Sequence, residues 1–131
     1  MAEVKLRGRI IKMGVAAGYA LVSPQPIGFL GGVDPETGMV IEAGHPLQGH
    51  CVSGRVLVFP AGKGSTVGSY TLYRMSRAGT APAAIVNAES EAIVAVGAII
   101  SEIPMLDQVD IALIKSGDWV ELEGDRLTVR R

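Results

Sequence analysis

A glycine-rich segment in the middle of the chain, Gly62-Lys63-Gly64-Ser65-Thr66, has the residue types of an anion-binding site. It follows an apolar run typical of a strand and precedes a pattern typical of a helix, so it is expected to present the unpaired N–H groups of a helix start. The helix dipole adds a partial positive charge there, which favours a carboxylate or a phosphate. Glycine lets the backbone turn sharply, and Ser65 or Thr66 is the predicted N-cap.

A purely structural interpretation of this segment stays open, because glycine loops capped by Ser or Thr begin many helices. The order of residues departs from the P-loop, in which Lys is followed at once by Ser or Thr, so nucleotide binding is disfavoured. The residues near Ser65 in the sequence include no base that could activate it, and no catalytic triad is visible. If Ser65 does chemistry, a second chain is expected to supply most of the apparatus.

The other polar residues that could do chemistry are predicted to have structural roles. His45 and His50 lie five residues apart on a turn, without neighbouring acidic or thiol groups, and are expected to be exposed rather than to bind a metal. Cys51 is expected to be a small core residue. Asn87 is expected to be a turn or cap residue.

Composition narrows the possible functions. The 131 residues are predicted to form one domain (1–131), and 48% of them are apolar, which is enough for a core. The net charge of -1 offers no basic face for nucleic acid. A single cysteine forms no internal disulfide and holds no zinc ion or iron–sulfur cluster by itself. The longest apolar run, residues 92–100, is far below the roughly 20 residues of a membrane span, so we expect a cytoplasmic protein.

The elements that must position the glycine-rich segment give a mixed α/β pattern, with β/β/α layers around a compact β core and two main helices in the second half. Strands are predicted over residues 4–11, 19–22, 40–42, 52–59, 83–86 and 105–114, followed by a terminal hairpin of residues 119–123 and 126–130. Helices are predicted over residues 65–77 and 90–101, the second with Ala92, Val96 and Ile99 on its inner face. The long loop of residues 23–38 is rich in Pro and Gly, and its length favours a functional role.

Long stretches of the chain carry a resemblance to a known family: PQPIGFLGGVDPETGMVIEAG, then HPLxG, then GRVLVFPAGKGSTVGSYTLYRM and GTAPAAIVNAESEAIVAVGAIISEIPML. They resemble the small subunits of the aconitase X type dehydratases, above all those that act on phosphomevalonate in archaea, over nearly the whole chain. The resemblance implies a fold like the swivelling domain of aconitase. It also implies a large catalytic subunit that carries a [4Fe–4S] cluster on its own cysteines. The implied reaction is the dehydration of (R)-5-phosphomevalonate to trans-anhydromevalonate 5-phosphate, for isoprenoid synthesis.

The resemblance also implies roles for individual residues. Ser65 would be the proton acceptor, and Gly64, Thr66 and Lys63 would stabilise its alkoxide or bind the substrate carboxylate. The long loop over residues 24–34, and especially residues 29–32 with Gly31 and Gly32 as substrate contacts, would face the large subunit and the substrate. No metal ligand is expected on this chain. Two alternatives stay open, which are a related aconitase X dehydratase such as a hydroxyproline dehydratase, and a non-catalytic anion-binding module.

Overall fold

The computed structural model describes residues 2–64 and 66–131, and these form eight strands, two α-helices and one short 3-10 helix, Ile111–Leu113. The strands are β1 (Glu3–Arg7), β2 (Arg9–Lys12), β3 (Val15–Val22), β4 (Val56–Phe59), β5 (Ala84–Asn87), β6 (Met105–Asp107), β7 (Trp119–Glu123) and β8 (Arg126–Arg130). The helices are α1 (Gly68–Ala78) and α2 (Ala92–Ile100). None of the helices in the described part is long and apolar enough to cross a membrane.

All eight strands belong to one mixed sheet in the order β1-β8-β7-β3-β4-β5-β6-β2. The central run from β3 to β6 is parallel, and the other pairs are antiparallel. β1 and β2 occupy opposite ends of this order although only Gly8 separates them in the chain. The sheet must therefore curl so that its two edge strands come close together at Gly8. The result is a half-barrel, in which β1 and β2 are joined through the chain.

The curl creates two apolar cores. β4 and β5 are buried on both faces, as parallel strands covered on both sides are. Because successive side chains of a strand point to opposite faces, Val56 and Val58 lie in the core inside the curled sheet, with Leu122 and Leu127. Leu57 and Phe59 lie in the second core, between the outer face of the sheet and the two helices.

The predicted mixed fold with two helices in the second half is confirmed, and so is the terminal hairpin. Several boundaries were wrong. The predicted strand 4–11 is two strands broken at Gly8, the predicted strand 52–59 begins only at Val56, and the predicted strand 105–114 ends at Asp107. Residues 39 and 40 make only isolated bridges instead of the predicted strand 40–42.

The predicted inner face of α2 was also wrong. Ala92, Val96 and Ile99 are exposed, whereas Val94, Gly97 and Ala98 are buried. The physical reason is the close packing of α1 on α2. A Cβ atom at Gly97 would lie 2.7 Å from Leu72 Cδ1 and 3.2 Å from Ser69 Cα. The small residue therefore faces the neighbouring helix, and this turns the larger apolar side chains outward.

Candidate active site

The glycine loop, residues 60–67, leaves the carboxyl end of β4 and leads into α1. It is bonded to the long loop by backbone hydrogen bonds on both sides of Ile27. The N–H of Ile27 donates to Ala61 O at 3.3 Å, and the N–H of Lys63 donates to Ile27 O at 3.0 Å. The two loops that the sequence pattern indicated are therefore neighbours, although Ile27 lies more than 30 positions before the residues it bonds to.

Glycine is required where these loops touch. A Cβ atom at Gly28 would lie 2.9 Å from Lys63 O, and one at Gly32 would lie 2.0 Å from Gly28 O. The start of α1 lies against the same loop, because a Cβ atom at Gly68 would lie 4.0 Å from Leu30 N. A side chain at position 28 would push the long loop away from the glycine loop, and one at position 32 would clash with the backbone of the long loop itself.

The residues predicted to bind substrate have different surroundings in this region. Gly31 and Gly64 have φ angles of 75° and 100° and open space where a side chain would point, and Thr66 is exposed. Gly32 is packed, and its carbonyl accepts hydrogen bonds from the N–H groups of Ile41 and Glu42. Ser65, the predicted proton acceptor, lies outside the described residues. The substrate contacts stay a prediction.

Lys63 is held by an ion pair. Its Nζ lies 2.9 Å from Glu42 Oε2, and both side chains are partly exposed. Glu42 lies where the long loop returns, because its N–H and that of Ile41 both donate to Gly32 O. The pair therefore joins the glycine loop to the segment that is hydrogen-bonded to the long loop at Gly32.

The two helix starts near the loop differ in their caps. α2 is capped by Glu91, whose Oε2 accepts from Ile93 N at 3.1 Å and whose Oε1 accepts from Val94 N at 2.8 Å. α1 has Val67 at its N-cap instead of the predicted Thr66, and the alternative, Ser65, lies outside the described residues. Within the described residues the first turn of α1 contains no acidic side chain. The dipole of α1 therefore places a partial positive charge beside the glycine loop, and this charge favours an anion.

Sequence comparison places these features in a family. The model of the aconitase X swivel domain family matches residues 5–130, which is almost the whole chain. The chain belongs to this family. Relatives from Methanosarcina acetivorans and Pyrococcus furiosus, both named phosphomevalonate dehydratase small subunit, are 54% and 51% identical to this swivel-domain chain. These alignments cover 95% and 94% of this chain and 88% and 92% of the relatives.

The fold agrees with a solved aconitase X. A crystal structure of Thermococcus kodakaraensis aconitase X in its holo form has a TM-score of 0.95 to this chain and is 48% identical to it. The match covers 98% of this chain and 99% of that chain. The curled mixed sheet with two helices is therefore the swivel-domain fold that the resemblance implied.

Several residues of this swivel domain have surroundings that sequence reasoning missed. Phe29, expected on the partner-facing surface, is only 2% exposed and packs edge-on against Phe59. Leu30, next to it, is exposed. Asn87, expected to be a turn or cap residue, is the fully buried last residue of β5. Nothing in the local sequence signals these positions, since the partners are distant in the chain.

His45 was expected to be exposed but is 5% exposed. Its Nδ1 accepts a hydrogen bond from Leu47 N at 3.0 Å, so Nε2 carries the proton and donates to Pro26 O at 3.1 Å. The ring therefore fastens the turn after Glu42 to the start of the long loop. Cys51 is half-buried, and its thiol donates to Thr37 O.

An ion pair between the buried Asp107 and the half-exposed Arg9 supports the segment that leads into α2. The carboxylate of Asp107 accepts hydrogen bonds from Arg9 Nε at 2.9 Å, from Arg9 Nη2 at 2.7 Å and from Ser90 N at 3.2 Å. The bonds from Arg9 lower the pKa of Asp107, against the opposing effect of burial, and the same pair raises the pKa of Arg9. The charged form of Asp107 therefore fixes residue 90 just before the cap of α2.

Proposed function

We propose that this chain is the single-domain small subunit of a phosphomevalonate dehydratase. The enzyme would remove water from (R)-5-phosphomevalonate to give trans-anhydromevalonate 5-phosphate in isoprenoid synthesis. The observation that carries the proposal is the positive end of α1, which directly follows the glycine loop, in a chain about half identical to relatives named as this subunit. A substrate with a carboxylate and a phosphate has the charge that such a helix start attracts.

In this proposal Ser65 is the proton acceptor. It takes a proton from the carbon next to the substrate carboxylate, the hydroxyl on the adjacent carbon leaves, and a C=C bond forms between the two carbons. A serine hydroxyl is a weak base, so its alkoxide needs stabilisation by nearby N–H groups and the helix dipole. The position of Gly64 and Thr66 between β4 and α1 supports this role for the residue between them.

Lys63, Gly64, Thr66, Gly31 and Gly32 are proposed to bind the substrate. The open space at Gly31 and Gly64 supports close approach of the backbone to a ligand. Lys63 is partly exposed, so its ammonium can exchange Glu42 for an anionic group of the substrate. Gly32 contributes mainly by holding the long loop in place, because its carbonyl and its missing side chain are both used in packing.

The proposal assigns a [4Fe–4S] cluster to a large partner subunit. Within residues 2–64 and 66–131, no group of three or more His, Cys, Asp or Glu side chains could hold a metal ion, so the described residues do not fit a cluster. The chain has one cysteine, and its thiol is engaged with Thr37 O. When bound to the large subunit, the cluster would act as a Lewis acid toward the departing hydroxyl.

The proposed function is tested by reconstituting the chain with its large subunit and measuring dehydration of (R)-5-phosphomevalonate. We expect activity that requires both chains and the phosphate, with mevalonate turned over poorly. Ser65→Ala is expected to lower kcat by about a thousandfold. Ser53→Ala is the matched control, because Ser53 makes only a 3.4 Å bond to Gly79 O. Wild-type activity in Ser65→Ala would remove Ser65 from the mechanism, and turnover of a hydroxyproline instead would reassign the substrate.

A further inference from the structure

Asn87 lies at the edge of the sheet from which the glycine loop departs. It is the last residue of β5 and pairs with Phe59, the last residue of β4. Its side chain is fully buried, and Nδ2 donates to Phe59 O at 3.0 Å and to Val86 O at 3.2 Å. The amide thus binds the carbonyl that immediately precedes the glycine loop.

The orientation of this amide is fixed, and it leaves one atom unsatisfied. Turning the amide over would place Oδ1 against two carbonyl oxygens, so Nδ2 must face them. Oδ1 is then buried and has no hydrogen-bond partner among the described residues. A buried acceptor without a partner disfavours folding, and the other residues of β5 are Ala, Ile and Val. An apolar side chain of similar size would fit this strand better if packing were the only requirement.

We propose that Asn87 is a positioning residue for the dehydratase site. Its amide fixes the carbonyl of Phe59, and thereby the direction in which the glycine loop leaves β4 toward α1. The loop is also tied down farther on, where Pro60 O accepts from Glu89 N and Lys63 N donates to Ile27 O. Asn87 supplies the first of these anchors, and its free Oδ1 is the structural cost of having an amide there. This inference rests on the proposed function.

A second buried oxygen provides a matched control. Ser101 Oγ is also buried without a hydrogen-bond partner among the described residues. It lies at the C-cap of α2, roughly 14 Å along the helix axis from the end near the glycine loop. If an unsatisfied buried oxygen mattered only for stability, both positions would affect the protein in the same way. If Asn87 positions the loop, only Asn87 affects turnover.

The test uses the reconstituted two-subunit enzyme with Asn87→Leu, Asn87→Asp or Ser101→Ala in the small subunit. We expect kcat to fall at least tenfold in both Asn87 variants, with KM changed less than threefold, because the loop still binds substrate but holds it in the wrong geometry. The thermal midpoint of the Asn87→Leu complex is expected to stay within about 3 °C of wild type, because removal of the unpaired Oδ1 and burial of an apolar side chain offset the lost bonds to Phe59 O and Val86 O. Ser101→Ala is expected to keep the wild-type kcat.

Asn87→Asp keeps the size of the side chain and removes the donor toward Phe59 O, so it separates hydrogen bonding from packing. Wild-type kcat in folded complexes of both Asn87 variants would overturn the inference, and so would failure of both variants to fold. An equal loss of kcat in Ser101→Ala would overturn it as well. An inactive wild-type complex would instead contradict the proposed function, so the two failures are distinguishable.

Discussion

Asp107 is a buried carboxylate whose charge depends on Arg9. Its side chain is fully buried, whereas that of Arg9 is about half exposed. Two hydrogen bonds from the guanidinium hold the pKa of Asp107 below its ordinary value, although burial alone would raise it. A buried carboxylate is tolerated when it is paired and hydrogen-bonded, and Asp107 meets both conditions.

Asp107→Asn is expected to lower the free energy of unfolding by about 2 kcal/mol at pH 7. Because the pKa of Asp107 is lower in the folded state, its stabilisation is complete above the unfolded value of about 3.9 and is lost as the pH falls through the folded value. The difference in the free energy of unfolding between wild type and Asp107→Asn should therefore shrink below about pH 4. Urea unfolding at several pH values measures it, with Glu36→Gln in the exposed Arg74 pair as a control expected to change little.

His45→Ala is expected to lower the free energy of unfolding by about 3 kcal/mol, because a buried ring and two hydrogen bonds to the backbone are lost. His50→Ala is the control, since His50 is exposed on the same turn. Urea denaturation of both variants measures the difference. Equal stability of the two variants would show that the bridge from Leu47 N to Pro26 O contributes nothing.

Sequence reasoning fails at His45 and Asn87 for one physical reason. Each side chain is buried where it bonds to a backbone carbonyl group that is distant in the chain. The partner is Pro26 O for His45 and Phe59 O for Asn87. The glycine-rich segment was different, because its signal is local: a buried strand, two glycines and a helix follow one another directly.

Among the larger elements, the glycine loop and the long loop act as one unit. The Lys63–Glu42 ion pair joins them at the surface, beside the backbone bonds of Ile27. Partial exposure makes this pair weak in stability terms, so its contribution to folding is about 0.5 kcal/mol or less. Its effect is expected mainly on substrate binding.

Lys63→Met is expected to raise KM about tenfold, because a charge-assisted hydrogen bond to the substrate anion is lost. Glu42→Gln is expected to lower KM modestly, since Glu42 no longer competes for the ammonium of Lys63. Steady-state kinetics of the two-subunit enzyme at low and high salt measure both effects. A KM in Lys63→Met that equals the wild-type value would exclude Lys63 from the substrate site.

The elements themselves were predicted better than their ends. The helices and the hairpin follow from periodicity and turn residues, so residues 119–123 and 126–130 had the right limits. The start of β4 was predicted four residues early, because Ser53, Gly54 and Arg55 form a turn that separates the buried Val52 from the strand. The outward face of α2 depends on Gly97, whose packing against Leu72 is a tertiary contact that no helical period reveals.

For the molecule as a whole, Gly8 joins the two ends of the curled sheet. A Cβ atom there would lie 2.6 Å from Asp107 O and 2.6 Å from Val109 Cγ2. Gly8→Ala is expected to lower the free energy of unfolding by about 3 kcal/mol, because the backbone of β6 cannot yield easily. Gly44→Ala, with open space and a φ of 78°, is the control and should cost about 1 kcal/mol. Thermal unfolding that ranks the two the other way would contradict the prediction.

The pairing of the first strands also has a consequence for how the chain reaches its fold. β1 pairs with β8 and β2 pairs with β6, so both strands need partners that lie more than 90 residues away in the chain. Contacts between such distant residues carry a large loop-closure entropy and slow folding. We expect the half-barrel to close late in folding, with the parallel centre of the sheet and its helices formed first.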